Sequence, residues 1–122
     1  MQRPRILIVD DEPGLVRIMT LMLTNLKRFE VSSVSDPTLA VKAALKFKPH
    51  LILLDWVMPK MSGGDVARQI RGDSRISNVP IIFLSAIVKS GESEIQGCPA
   101  ISKPVGIQEL VEAIDTEMGK SR

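Results

Sequence analysis

The chain has 122 residues, of which 44% are hydrophobic and 25% are charged, and this size and composition indicate one soluble globular domain. A formal net charge of +2 and an aromatic content of 3% argue against direct nucleic-acid binding, which uses basic patches and stacking platforms. The single cysteine, Cys98, excludes an intrachain disulfide and a cysteine-cluster metal site, and it is compatible with a reducing, cytoplasmic setting.

The amino-terminal part of the chain predicts a buried strand, a helix and a less buried strand. The apolar run at 6–9 is too short for a signal peptide or a membrane span, and its continuity is typical of a strand buried on both faces. A helix follows, with Pro13 in its first turn, where a missing N–H costs little. Its apolar positions recur at helical spacing: Leu15, Ile18, Met19, Met22, Leu23 and Leu26. Phe29, Val31 and Ser33 then alternate with polar neighbours, which predicts a strand that is less buried.

A second helix and a third strand come next. Asp36 and Pro37 have the residue types of an N-cap and a first-turn proline, and Pro49 marks the end of the helix that they begin. The apolar residues of this helix, expected to face inward, are Ala40, Val41, Ala44 and Leu45. The continuous apolar run at 51–54 predicts another strand buried on both faces.

The second half of the chain repeats the alternation. A turn at 62–64 precedes a third helix, 81–84 is a further buried strand, and 100–102 is a weaker one. The third helix is indicated by Val66, Ala67 and Ile70, and the last by Ile107, Leu110, Val111, Ile114 and Met118. Strands that alternate with helices five times predict a parallel sheet with helices on both faces, because parallel strands need crossover connections.

Polar residues follow four of these strands. Asp10 and Asp11 follow the first, Asp55 the third, Ser85 the fourth and Lys103 the last. The carboxyl ends of parallel strands lie at one edge of the sheet, where such folds bind ligands. Three crowded carboxylates repel one another unless a cation compensates, and ligands that are all oxygen favour Mg²⁺. Taken singly, the acid pair could be a solvated turn before a helix, and Asp55 could form only local hydrogen bonds.

Ser85 and Lys103 favour a chemical role for the whole set. Alone, each is most simply a turn residue or a solvated cation. Together they supply a hydroxyl and a positive charge opposite the carboxylates. Transfer of a phosphoryl group to a carboxylate needs this combination of a nucleophile, a divalent cation and groups that bind the phosphoryl oxygens.

The ordered motifs resemble the receiver domains of response regulators in two-component phosphorelay signalling. They are Ile6-Leu7-Ile8-Val9-Asp10-Asp11-Glu12-Pro13, Leu54-Asp55-Trp56-Val57-Met58-Pro59, Met61-Ser62-Gly63-Gly64, Leu84-Ser85-Ala86 and Ser102-Lys103-Pro104. Each motif is weak alone, but the ordered set is specific and spans essentially the whole chain. The resemblance implies an α/β fold, a flavodoxin-like (βα)5 three-layer sandwich with strand order 2-1-3-4-5. It implies one receiver domain over 1–122, structured from about 4 to 119.

The resemblance also implies a role for each site residue. Asp55 is the expected phosphoacceptor, and the expected donor is a phosphohistidine on a sensor histidine kinase or a histidine phosphotransfer protein. The expected metal, Mg²⁺ or another divalent cation such as Mn²⁺, is held by Asp11, Asp55 and the carbonyl of Val57, with Asp10 acting mainly through water. The expected phosphate ligands are Lys103, Ser85 and the backbone N–H groups of Trp56 and Ala86.

The implied product is a conformational state that acts on a downstream output domain or protein, with a homodimer as an option. The chain is therefore expected to be a cytoplasmic signalling domain that catalyses its own phosphorylation and slow dephosphorylation, and not a metabolic enzyme. No membrane or direct nucleic-acid partner is expected.

The chain departs from the family pattern in the region that would transmit the signal. Ile101 occupies the usual position of an aromatic switch residue, where it is either a different switch or simply a buried strand residue. The stretch from Ser85 to Lys103 is short and has little apolar periodicity over 88–99, so we expect a truncated or irregular fourth helix. Trp56 is expected to cover part of the site, unless it is simply a bulky turn residue on the surface. Val57 cannot orient an attacking water, which predicts slow hydrolysis of the phosphorylated form.

Two other functions are compatible with the residues. The first is a receiver-like binding module that docks a partner without phosphorylation, suggested by Ile101 and the short fourth-helix region. The second is a phosphohydrolase in which Asp55 is a transient nucleophile. Haloacid-dehalogenase-like enzymes place a second Asp two residues after the nucleophile, and here that residue is Val57, so this alternative ranks last.

Overall fold

The computed structural model describes residues 3–86 and 94–120, apart from the side chain of residue 120. Its strands are β1 (Arg5–Val9), β2 (Glu30–Val34), β3 (Leu51–Asp55), β4 (Ile81–Ser85), β5 (Glu94–Ile95) and β6 (Cys98–Ser102). Its helices are α1 (Pro13–Asn25), α2 (Ala40–Phe47), α3 (Gly63–Arg71) and α4 (Ile107–Lys120), with a 3-10 turn at Pro37–Leu39 before α2. Among the described helices, none is long and apolar enough to cross a membrane.

The strands form one six-stranded sheet in the order β2-β1-β3-β4-β6-β5. Neighbouring strands from β2 to β6 are parallel, and β5 pairs with β6 in the antiparallel sense. The predicted parallel order is therefore confirmed, with β6 as the fifth parallel strand. The antiparallel edge strand β5 is an addition that the sequence pattern did not predict.

Each face of the sheet carries its own apolar core. On one face, residues of α2 and α3 pack against alternate residues of the central strands, including Leu7, Ile52 and Phe83. On the other face, residues of α1 and α4 pack against the intervening residues, including Ile6 and Leu53. β1, β3 and β4 are buried on both sides, which is why they read as continuous apolar runs.

The first helix buries a narrower stripe than the sequence pattern predicted. Met19 and Leu23, four residues apart, are fully buried, whereas Ile18 is 55% exposed and Leu26 is 40% exposed. Ile18 lies about 100° around the helix from Met19, on the solvent-facing side of α1. Leu26 follows the last helical residue.

The second helix begins with the predicted cap but not as a regular α-helix. The Asp36 carboxylate accepts a hydrogen bond from the Thr38 N–H at 2.9 Å, as an N-cap does. The first turn after Pro37 is a 3-10 turn, and α2 itself starts at Ala40. The helix ends at Phe47 and is followed by Lys48 as its C-cap, whose φ of 54° is left-handed, just before Pro49.

The region predicted to hold a truncated fourth helix contains a hairpin where the structure describes it. Residues 94–95 form β5, Gln96 and Gly97 form the turn, and β6 follows. Ile95 and Cys98 pack against the core on the α2–α3 face. The rest of the predicted segment, 88–93, lies outside the described residues.

Candidate functional site

The pairing register of the parallel strands brings the predicted polar residues to one edge of the sheet. Asp55 is the last residue of β3 and pairs with Leu84, one residue before Ser85. Ser85 pairs with Ser102, one residue before Lys103, and the Lys103 N–H extends that ladder by donating to the Ser85 carbonyl at 3.0 Å. Asp10 follows the last residue of β1. These side chains therefore start from adjacent strand ends.

Lys103 lies among three carboxylates. Its Nζ is 3.1 Å from Asp55 Oδ1, 3.3 Å from Asp10 Oδ2 and 2.9 Å from Glu12 Oε1. The Lys103 side chain is 13% exposed, Asp55 is 3% exposed and Asp10 is fully buried, whereas Glu12 is 59% exposed. One ammonium thus partly compensates two buried carboxylates and one exposed carboxylate.

The carboxylates of Asp10, Asp11 and Asp55 form a cluster suited to a cation. One oxygen from each lies within 4.8 Å of the others. Asp10 Oδ1 is oriented by the Glu12 N–H, which donates to it at 3.0 Å. Asp10 Oδ2 and Asp55 Oδ2 are buried and accept no hydrogen bond from any residue in the described part of the chain. The Lys103 contact with Asp10 Oδ2 is an ion pair without hydrogen-bond geometry, so both oxygens keep lone pairs that a metal ion would satisfy.

The chemistry of these donors fits a hard divalent cation. All of the side-chain donors are carboxylate oxygens, and Asp11 is only partly buried, which leaves room for water ligands. Mg²⁺ prefers a few carboxylates together with waters. The residues present therefore fit the predicted metal.

Burial and charge perturb the two central ionisable groups in opposite directions. Burial raises the pKa of Asp55 to about 7; the charge of Asp10 adds to this rise, and the contact with Lys103 opposes it. For Lys103, burial lowers the pKa, but its contacts with Glu12, Asp55 and Asp10 outweigh burial and hold the pKa above its usual value. Lys103 is thus a permanent cation at neutral pH, while Asp55 exchanges a proton near neutrality when no metal is bound.

The two backbone N–H groups that follow Asp55 have different hydrogen-bond partners. The Trp56 N–H, which was predicted to bind phosphate, donates to the Leu84 carbonyl at 2.9 Å and so belongs to the strand ladder in this structure. The Val57 N–H donates to the Asp55 carboxylate, with its nitrogen 3.4 Å from Asp55 Oδ1. The Val57 side chain is 63% exposed beside it. Ala86, the other predicted backbone donor, is exposed directly after the buried Ser85.

Trp56 packs inward from this loop. Its ring meets the Phe83 ring edge-on, with centroids 5.1 Å apart and an interplanar angle of 86°. The indole also lies against Gly64 at the start of α3. Trp56, which directly follows Asp55, is half-buried. It is therefore not a fully exposed turn residue, and its ring is part of the packing around the core.

Two residues of the site were missed by sequence reasoning. Glu12 was given no role beyond its place in the first motif, although it makes the shortest of the three carboxylate contacts with Lys103. Gly63 lies so close to the backbone of residues 55 and 56 that an added Cβ would overlap the Asp55 carbonyl oxygen and lie 2.9 Å from Trp56 Cα. Glycine after Ser62 was the available signal for this approach, whereas the Glu12 contact spans 91 residues of sequence and had none.

Ile101 is placed as a core residue of β6. It is 3% exposed and belongs to the cluster on the α1–α4 face, together with Leu84 and Leu110. The structure therefore favours the interpretation of Ile101 as a buried strand residue.

Comparison with known proteins identifies the family. Residues 6–115 match the family described as the response regulator receiver domain. The "DNA-binding response regulator MtrA" of Mycolicibacterium smegmatis is 40% identical over 84 residues, which cover 69% of this chain and 35% of that protein. The "Hybrid signal transduction histidine kinase D" of Dictyostelium discoideum is 29% identical over 118 residues, covering 89% of this chain and 7% of that protein. The chain thus spans about a third of the length of its MtrA relatives.

Solved structures agree in fold. A sensor protein from Polaromonas sp. JS666 has a TM-score of 0.88 at 26% identity, and the match covers 99% of this chain and all of that one. The receiver domain of the sensor histidine kinase PA1611 from Pseudomonas aeruginosa has a TM-score of 0.84 at 30% identity, with 97% and 99% covered. That structure is described with a magnesium ion coordinated in its active site cleft.

Proposed function

Since the chain belongs to the receiver domain family of response regulators, we propose that it accepts a phosphoryl group on Asp55 in a two-component phosphorelay. The observation that carries the proposal is the pairing of Asp55 with Lys103 at 3.1 Å beside buried oxygens that have no hydrogen-bond partner among the described residues. A permanent cation next to an unsatisfied carboxylate is what acceptance of a phosphoryl group on oxygen requires.

Asp11, Asp55 and the Val57 carbonyl would hold Mg²⁺ directly, and Asp10 would hold it through water. Mn²⁺ uses the same oxygen ligands and would substitute. When bound, the cation supplies positive charge that neutralises the phosphoryl oxygens and lowers the pKa of the Asp55 carboxyl. The buried oxygens of Asp10 and Asp55 that accept no hydrogen bond from the described residues support this assignment.

In the transfer step, an ionised Asp55 oxygen attacks phosphorus while the bond between phosphorus and a donor histidine nitrogen breaks. The electrons of that bond leave with the imidazole, which takes up a proton from solvent. Lys103 and the Ser85 hydroxyl bind phosphoryl oxygens. We assign the backbone donors to Val57 and Ala86, because the Trp56 N–H is engaged with Leu84.

The donor would be a sensor histidine kinase or a histidine phosphotransfer protein in the cytoplasm. Its docking is supported by exposed apolar side chains on the helix that follows the acid pair. Ile18 and Leu21 are each 55% exposed. A cavity of about 460 Å³, lined by Asp10, Val16 and Leu21 among others, lies between this helix and β2. The signal would pass to an output domain or protein, or to a second copy of the chain, through the segment from Ser85 to Lys103.

Acetyl phosphate, which phosphorylates carboxylates without a kinase, gives the direct test. With Mg²⁺ present, intact-mass measurement should show one phosphate on the wild type and none on Asp55→Ala. Asp115→Ala, at an exposed ion pair with Arg28, is the matched control and should react like the wild type. No adduct on the wild type, or an undiminished adduct on Asp55→Ala, refutes the proposal.

A second candidate is a receiver-like module that binds its partner without phosphorylation. It is favoured by the β5–β6 hairpin in the predicted fourth-helix region and by the buried Ile101. Partner binding by Asp55→Ala equal to that of the wild type, with no acetyl phosphate dependence, would select this candidate.

A further inference from the structure

Glu12 has no function in the phosphorylation scheme above, yet it makes the shortest contact with Lys103. Its Oε1 lies 2.9 Å from Lys103 Nζ, compared with 3.1 Å for Asp55 and 3.3 Å for Asp10. Glu12 is also the N-cap residue of α1, but its side chain makes no capping hydrogen bond. Side chains at this position commonly accept from the helix N–H groups. Here the carboxylate contacts the ammonium across the sheet edge instead.

Burial distinguishes Glu12 from the other partners of Lys103. Asp10 and Asp55 are fixed in the protein interior, whereas the Glu12 side chain is 59% exposed. A buried carboxylate that lost its cation would be left uncompensated, at high cost. An exposed carboxylate that loses the same cation is solvated by water, so its ion pair is worth little. Glu12 is therefore the partner that Lys103 can exchange most easily.

A phosphoryl group on Asp55 would create that exchange. An ammonium has three donors, and hydrogen bonds to Asp55 and Glu12 occupy two of them. A phosphoryl group brings further oxygens and a second negative charge within reach of the same ammonium, close to the Glu12 carboxylate. The two anions would compete for Lys103 and repel each other.

Resting on the proposed function, we propose that Glu12 is a positioning residue that holds the Lys103 ammonium in the unphosphorylated protein and yields it to the phosphoryl group. The contact keeps Lys103 at the site before phosphorylation and opposes occupation by a phosphoryl group. Removing the Glu12 charge should therefore strengthen binding of a phosphoryl analogue.

Beryllofluoride, a non-covalent phosphoryl analogue, provides the test by titration at saturating Mg²⁺. The fluorescence of Trp56, the one tryptophan of the chain, reports binding. In Glu12→Gln the half-saturating beryllofluoride concentration should fall about two- to fivefold, the range expected for loss of one exposed ion pair. The half-saturating Mg²⁺ concentration, measured separately, should change less than this.

Two further variants separate the contact from a general charge effect. Glu30→Gln removes an equal charge from an exposed residue at the start of β2, near the opposite edge of the sheet, and should leave both titrations unchanged. Glu12→Asp keeps the charge but shortens the side chain, so it should also strengthen beryllofluoride binding. Thermal melting confirms that each variant is folded.

The outcomes distinguish this inference from the proposed function. A wild type that does not bind beryllofluoride with Mg²⁺ overturns both. A wild type that binds, with an unchanged or weakened Glu12→Gln, overturns only the role of Glu12. Equal gains in Glu12→Gln and Glu30→Gln, or Glu12→Asp behaving like the wild type, would show an effect of the overall field and would also overturn it.

Discussion

Replacing the buried Asp55 carboxylate with its neutral isostere should stabilise the metal-free protein. In Asp55→Asn the charge that burial and Asp10 disfavour is gone, and the shape is kept. The rise in the pKa of Asp55 from 3.8 to about 7 corresponds to roughly 4 kcal/mol at about 1.36 kcal/mol per pKa unit. Since Asp55 is only 3% exposed, solvent screening reduces this little. We expect Asp55→Asn to be more stable than the wild type by up to about 4 kcal/mol near pH 8.

The stability difference between Asp55→Asn and the wild type should depend on pH in a definite direction. Between the usual pKa of 3.8 and the folded value of about 7, the native wild type binds more protons at Asp55 than the unfolded chain does. Wild-type stability therefore falls as pH rises through this window, and the advantage of Asp55→Asn grows with it. The advantage should shrink to about 2 kcal/mol near pH 5 and vanish below about pH 3.

Urea unfolding in the presence of a chelator, at several pH values, measures this difference. Asp115→Asn, at an exposed pair with Arg28, is the control and should change stability by less than about 1 kcal/mol at every pH. Adding Mg²⁺ should stabilise the wild type more than Asp55→Asn, because the cation binds the ionised site. If the ion pair with Lys103 outweighed burial, Asp55→Asn would instead be less stable near pH 8. That result would refute the reasoning.

Two further predictions concern the loop after the acceptor. Val57→Asn should shorten the lifetime of the aspartyl phosphate, because an amide at this exposed position can orient an attacking water, whereas valine cannot. The loss of radiolabelled phosphate from the protein measures this lifetime. A wild-type half-life no longer than that of the variant would contradict the prediction. Mg²⁺ should change the fluorescence of Trp56, which directly follows Asp55, a member of the carboxylate cluster. The half-saturating Mg²⁺ concentration should rise at least tenfold, about 1.4 kcal/mol, in Asp11→Asn. An unchanged titration in that variant would exclude Asp11 as a ligand.

The sequence predicted the parallel sheet and the convergence of its strand ends because both depend on strong local signals. Continuous apolar runs mark β1, β3 and β4, and parallel pairing then brings Asp10, Asp55 and the residues after β4 to one edge. The edge strand β5 could not be predicted in this way. Two residues, Glu94 and Ile95, show no periodicity, and they are strand only because β6 pairs with them.

The contacts within the site depend on tertiary geometry that residue types do not encode. The order of acids and lysine indicated that Lys103 faces carboxylates, but not that Glu12 would be its nearest partner. Likewise, our proposal that the Val57 N–H, and not the Trp56 N–H, binds phosphate depends on the hydrogen bond from Trp56 to Leu84, which extends the β3 ladder by one residue. The exposure of Ile18 beside the buried Met19 depends on how α1 is rotated against the sheet, which helical spacing alone does not give.

Gly63, the first residue of α3, lies very close to the backbone of Asp55, and substitutions at this position can test how tightly the site is packed. An added Cβ would overlap the carbonyl oxygen of Asp55 and lie 2.9 Å from Trp56 Cα, both backbone atoms that cannot move without shifting the acceptor. Gly63→Ala should therefore cost about 3 kcal/mol or more in urea unfolding and reduce phosphorylation of Asp55. Gly64→Ala should cost less, because its added Cβ meets the ends of side chains, Gln96 at 3.1 Å and Trp56 at 3.2 Å.

Gly14→Ala is the matched control for these two substitutions. It lies in the first turn of α1, where no atom of the described residues comes within 4 Å of the added Cβ, and the substitution should be neutral or stabilising by up to about 1 kcal/mol through helix propensity. The expected order of stability is thus Gly14→Ala, then Gly64→Ala, then Gly63→Ala. A Gly63→Ala protein as stable as Gly14→Ala would show that the loop can withdraw from α3 without cost. The acceptor would then not be held in place by the close approach of this helix.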